Sequence, residues 1–94
     1  MPRVMGLFHK MMKAYVINQK GTTELPAGAE LVHVGQLNKD YVVWAIVDDS
    51  EEMLTRRKLR IYDTGQPLPV DCGKYLGTIY AYGIERHVFD EGDK

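Results

Sequence analysis

Ninety-four residues, 45% of them apolar and 10% aromatic, make one globular domain, and nine glycines with four prolines favour strands joined by turns over a helical bundle. Twelve Lys and Arg against thirteen Asp and Glu leave a net charge of −1, so no whole-molecule field draws the chain to long nucleic acid or to an acidic membrane, and any anion site has to be local. A lone cysteine, Cys72, excludes an internal disulfide and suits a reducing cytoplasm, and no apolar run approaches the ~20 residues that span a bilayer.

The first segment, Met1 to Lys13, holds four of the five methionines and shows no clean period. His9, Lys10 and Lys13 interrupt it before it reaches the length of a signal-peptide core. Residues 1–13 are therefore expected to be a flexible extension, with Met11 and Met12 as alternative starts and with Val4, Leu7 and Phe8 as groups that dock on a neighbouring subunit. Residues 14–90 are the single β domain and 91–94 a tail.

Strand signals begin at Ala14–Asn18 and resume at Thr23–Leu25, which Pro26-Ala27-Gly28 ends because proline cannot donate to a ladder. Glu30–Leu37 and Tyr41–Asp48 flank Asn38-Lys39-Asp40 as a hairpin. The second of these strands is apolar on both faces, Val42, Trp44 and Ile46 on one and Val43, Ala45 and Val47 on the other, which makes it central and calls for cover on each side. After the acidic loop Asp48–Glu52 comes a strand over Thr55–Asp63. Ser50–Arg57 offers at most one short helical turn before the alternation takes over. Thr64–Cys72, with two prolines, is a loop. Lys74–Tyr82 and Glu85–Phe89 form a last hairpin across Gly83. The expected fold is all-β, about six antiparallel strands in a curled sheet, small sandwich or barrel, with Val32, Val34, Val42, Trp44, Ile46, Leu59, Ile61, Leu76 and Val88 in the core. A sheet protein this small leaves edges, so self-association into a homo-oligomer is expected.

No nucleophile elbow, phosphate loop, zinc spacing or paired-histidine motif is present, so neither an enzymatic activity nor a metal or other cofactor is expected. His33 lies on an apolar strand. Asp63 and Asp71 have no spacing that turns a carboxylate toward a histidine. The strongest signal is the stretch Thr55–Pro69, where Arg56, Lys58, Arg60 and Tyr62 alternate with Leu59 and Ile61. Like charges on one strand face repel, and an anion relieves the repulsion unless carboxylates from Glu85, Glu30 or the acidic loop already do so. Arginine forks suit phosphate and tyrosine rings suit a base. The expected ligand-binding residues are Arg56, Lys58, Arg60, Tyr62, Tyr80 and His87.

Leu25-Pro26-Ala27-Gly28-Ala29, Trp44-Ala45-Ile46-Val47-Asp48, Arg60-Ile61-Tyr62-Asp63-Thr64-Gly65-Gln66-Pro67 and His87-Val88-Phe89-Asp90 together resemble a family of small uncharacterised all-β proteins found chiefly in bacteriophages and prophages. The resemblance covers Ala14 to Asp90, and Gln66 stands where members often carry histidine. It implies the cytoplasm of a bacterial host and a role in host interaction or counter-defence. Combined with the basic stripe, the expected function is sequestration of a small phosphorylated nucleotide signal. The alternatives are a protein–protein inhibitor that presents the same stripe or the tyrosine-rich sheet to an acidic host protein, and a structural, virion-associated subunit.

Overall fold

The computed structural model describes residues 9–93, which form seven strands and no helix. Two antiparallel sheets face each other as a small sandwich. Sheet A has the order β1-β4-β3, from β1 (Lys10–Val16), β4 (Asp40–Asp48) and β3 (Glu30–Leu37). Sheet B has the order β2-β5-β7-β6, from β2 (Thr23–Pro26), β5 (Leu54–Asp63), β7 (Ile84–Asp93) and β6 (Lys74–Ala81). The all-β class is as the sequence predicts, with one strand more.

The core lies between the sheets. Val34 and Val43 from sheet A meet Leu59, Ile79, Ala81 and Val88 from sheet B, and Leu25, Ala29, Ala45 and Val47 form a second cluster at the β2 end. The expected core needs correction at β4. Its inward face is Val43, Ala45 and Val47, whereas Trp44 and Ile46 point outward and stay half-buried. A strand apolar on both faces gives the period-two pattern no way to choose the side. Val32 is 40% exposed because the ladder slips between Leu31 and His33, a bulge that shifts the alternation.

Three boundaries also move. β1 starts at Lys10 and pairs with β4 in unbroken register from Lys10↔Asp48 to Val16↔Val42, so residues 10–13 belong to the sheet and not to an extension. Val4, Leu7 and Phe8 lie outside the described residues. Ser50–Arg57 forms no helical turn, since Leu54 already pairs with Pro26. β7 runs on through Asp93, so residues 91–93 of the expected tail are strand.

Turn chemistry agrees with the hairpins. Gly83 (φ 76°) follows Tyr82 (φ 54°), and two successive left-handed residues match the right-handed twist of the flanking strands β6 and β7. β5 and β6 both run antiparallel to β7, which lies between them, so they are parallel to each other and need a crossover. Residues 64–73 provide it. With the inner face of sheet B packed on sheet A, the crossover passes over the outer face, where Gln66 and Leu68 line an open pocket of about 290 Å3 together with Tyr75, His87 and Phe89. Gly73 ends it at φ 90°, so close to β7 that an added Cβ would stand 2.2 Å from the Asp90 carbonyl oxygen.

Candidate functional site

Alternation along β5 and β7 sends Lys58, Arg60, Tyr62, Glu85, His87, Phe89 and Glu91 to the outer face of sheet B, with Arg60↔Phe89 and Tyr62↔His87 as cross-strand partners. The cations expected to receive an anion are therefore on one wall. They are not left without carboxylates. Between Arg57↔Asp93 and Leu59↔Asp90, β7 places two residues, Glu91 and Gly92, against Lys58 alone. Gly92 takes φ 94° and its N–H donates to Asp90 Oδ1 at 2.8 Å, which fixes this bulge. The extra residue brings the Glu91 carboxylate to 3.5 Å from Lys58 Nζ and 4.0 Å from Arg60 Nε. Arg56 faces Glu24 across the β2–β5 ladder. On the inner side of the same end, Arg57 pairs with the buried Asp90.

Tyr62 is half-buried, its ring edge-on to Phe89 with centroids 5.7 Å apart. Loss of water around the phenol raises its pKa, and the charge of Glu91 adds to the rise. A ring held this way is a packing group more than a stacking platform.

The other end of the same face is built differently. His87 Nε2 lies 2.7 Å from Thr64 Oγ1, and Nδ1 lies 2.8 Å from Thr78 Oγ1. Thr64 also donates to Glu85 Oε1 at 2.9 Å. A carboxylate only accepts, so the single Thr64 hydroxyl proton goes to Glu85, and Nε2 must carry the proton given to Thr64. In the neutral imidazole Nδ1 then accepts from Thr78, whose oxygen is met in turn by the Tyr75 hydroxyl. The protons run in one direction, Tyr75 to Thr78 to His87 to Thr64 to Glu85, and join β6, β7 and the start of the crossover. Both imidazole nitrogens are engaged, so His87 is positioned as a structural link and not as a free base.

The chain of bonds ends at a cleft of about 750 Å3 at the turn between β6 and β7. Asp63, Thr64, Tyr80, Tyr82 and Glu85 line it, and Tyr80 and Tyr82 are 72% and 75% exposed. Asp63 is paired from behind by Arg86, at 3.1 Å, which itself donates to the Tyr41 hydroxyl at 3.0 Å. Glu85 has hydrogen bonds but, among the described residues, no ion pair. Its charge, followed by its hydrogen bond with the Tyr80 hydroxyl, raises the Tyr80 pKa. Among the described residues no three His, Cys, Asp or Glu side chains converge to hold a metal ion.

Of the six predicted residues, Arg56, Lys58 and Arg60 thus sit at one end of sheet B, Tyr62 and His87 at its middle, and Tyr80 at the cleft. Sequence reasoning missed Glu91, Thr64, Thr78 and Tyr75. Continuing the alternation Glu85, His87, Phe89 by one more step reaches Glu91, so the signal for that residue was present in the strand pattern.

Residues 9–94 match the family model described as a domain of unknown function, DUF7352. No curated protein and no solved structure matches the chain. The chain belongs to the DUF7352 family.

Proposed function

We propose that this member of the DUF7352 family is a non-enzymatic binding module that engages a protein partner through the tyrosine end of sheet B. The observation that carries this reading is the pair Tyr80 and Tyr82, 72% and 75% exposed and both lining the cleft of about 750 Å3. Leu68, Val70, Tyr75 and Ile84 are also exposed on the crossover and on β6 and β7. Tyrosine offers large contact area at low entropic cost and is enriched at interface centres. The resemblance to phage proteins makes a bacterial host protein the partner of choice.

Nucleotide sequestration, the first expectation from the basic stripe, draws less support from this geometry. Glu91 lies against Lys58 and Arg60, so a phosphate arriving there has to displace a carboxylate already in place. The two readings separate in one set of measurements. Tagged protein retains a defined partner from bacterial lysate, identified by mass spectrometry, and the double variant Tyr80→Ala, Tyr82→Ala loses it. Calorimetric titration with cyclic dinucleotides and ADP-ribose-type compounds gives flat traces. Retention of the same partner by the double variant, or tight binding of any of those nucleotides, overturns the proposal.

A further inference from the structure

The tyrosine cleft carries a sign of charge, and it is the opposite of the one the basic strand suggested. Of the two carboxylates at its wall, Asp63 is met by Arg86 at 3.1 Å, whereas Glu85 accepts from the Thr64 hydroxyl and, among the described residues, has no ion pair. Among the described residues, no lysine, arginine or histidine lines the cleft. A carboxylate offers about four acceptor positions, and Thr64 occupies one. The remaining ones are oriented by a network that already fixes Thr64 through His87.

A second observation concerns the backbone. Tyr82 occupies a left-handed conformation at φ 54°, a position in a two-residue hairpin turn where asparagine or glycine is favoured and a bulky ring is strained. A strained turn that holds an exposed aromatic at a cleft rim points to use of that ring.

We infer that the cleft between Tyr80, Tyr82 and Glu85 receives a cationic side chain of the partner, an arginine by preference. A guanidinium lies flat on a tyrosine face and presents two parallel N–H groups to a carboxylate, so one planar cation uses both kinds of wall. Lysine engages the charge without the plane. The cleft volume, about 750 Å3, falls in the range that accepts a side chain together with flanking backbone. This inference rests on the protein-binding reading and gives its partner a local chemistry, a basic segment in place of an acidic surface.

The test uses the full chain, labelled with 15N, and three short peptides with alternating glycine that differ only in carrying arginine, lysine or glutamate. The arginine peptide shifts the amide signals of Thr64 and residues 80–85, the lysine peptide binds several-fold more weakly, and the glutamate peptide leaves the signals in place. Raising the salt weakens the arginine complex, and Glu85→Gln weakens it at least tenfold while its remaining spectrum stays native. Tyr82→Asn, which suits the turn, weakens binding without unfolding. An arginine peptide that moves no cleft signal, or that binds Glu85→Gln as tightly as the parent, overturns the inference. In that event lysate capture that depends on Tyr80 and Tyr82 but not on Glu85 keeps the protein-binding reading intact, so the two failures are distinguishable.

Discussion

The outer face of sheet B carries a glutamate at each of its two ends, and the two differ in how that charge is settled. At the end formed by Lys58, Arg60 and Glu91, unlike charges lie within 3.5 and 4.0 Å of each other. At the end formed by Tyr80, Tyr82 and Glu85, one carboxylate accepts from the Thr64 hydroxyl and lines an open cleft. A count of charges along one strand therefore says little about which face is ready to bind. The deciding quantity is whether the neighbouring strand has already supplied the partner.

The largest expected effect comes from breaking the settled end at its base. Asp90 and Arg57 are a mostly buried pair, with side chains 8% and 20% exposed. Asp90→Ala withdraws the buried carboxylate that compensates the Arg57 guanidinium in a poorly hydrated place, so it should cost about 3–5 kcal/mol. For a domain of this size that is a fall in Tm of more than about 10 °C, read by thermal denaturation followed by circular dichroism. The carboxylate is also acceptor for the Gly92 N–H, so Glu91 should lose its place against Lys58 as well. A Tm within a few degrees of the parent would show that this end does not depend on the pair.

Gly73→Ala probes the crossover that spans the two ends. The residue combines φ 90° with an approach of 2.2 Å between its added Cβ and the Asp90 carbonyl oxygen, so the backbone itself must shift. We expect a loss of at least about 2 kcal/mol by urea denaturation. Gly65, at φ 90° with nothing within 4 Å of its added Cβ, should lose less on the same change, which separates the close approach from the conformation.

Glu91→Gln sharpens the comparison most directly. Both pairs that Glu91 makes are partly hydrated, so stability should change by less than about 1 kcal/mol. The face, however, gains the surplus of positive charge that the basic strand promised. Weak, salt-sensitive binding of inorganic phosphate should appear in the variant and be missing in the parent, measured by NMR shifts of Lys58 and Arg60. Equal behaviour of the two proteins would mean that Glu91 does not control this end.

These cases show what was legible in the chain and what was not. The hairpin Glu30–Leu37 with Tyr41–Asp48, the β5 alternation and the hairpin turn at Gly83 follow from local patterns of period two and turn residues, and each lies within a residue or so of the observed element. The inward face of β4 was hidden because both of its faces are apolar. β1 was cut short at its start because Lys10 to Lys13 read as a tail, although they pair with Ala45 to Asp48. The carboxylate beside the basic stretch is hidden for a physical reason of the same kind. Placing Glu91 beside Lys58 requires a strand that extends past Phe89 and a bulge at Gly92, and neither is a property of the basic stretch itself. The hydroxyl chain through His87 joins residues between three and twenty-three positions apart in sequence and exists only once β6, β7 and the crossover are assembled.

The smallest effect tests the unsettled end without any ligand. The Tyr80 pKa is raised first by the charge of Glu85 and then by their hydrogen bond, so the folded protein favours the neutral phenol. A group whose folded pKa lies above its unfolded value contributes stability that is whole below the unfolded pKa, about 10 for tyrosine, and is lost as pH rises through the folded value. Absorbance titration should therefore show Tyr80 ionising later than a free phenol, and Glu85→Gln should bring it earlier because charge and acceptor strength both fall. Tyr62 should also ionise late, but mainly because burial disfavours its anion, and Glu85→Gln should leave it unmoved. An identical titration curve for the parent and Glu85→Gln would mean that the Glu85 charge does not reach the cleft wall, and the case for a cation at that wall would lose its electrostatic half.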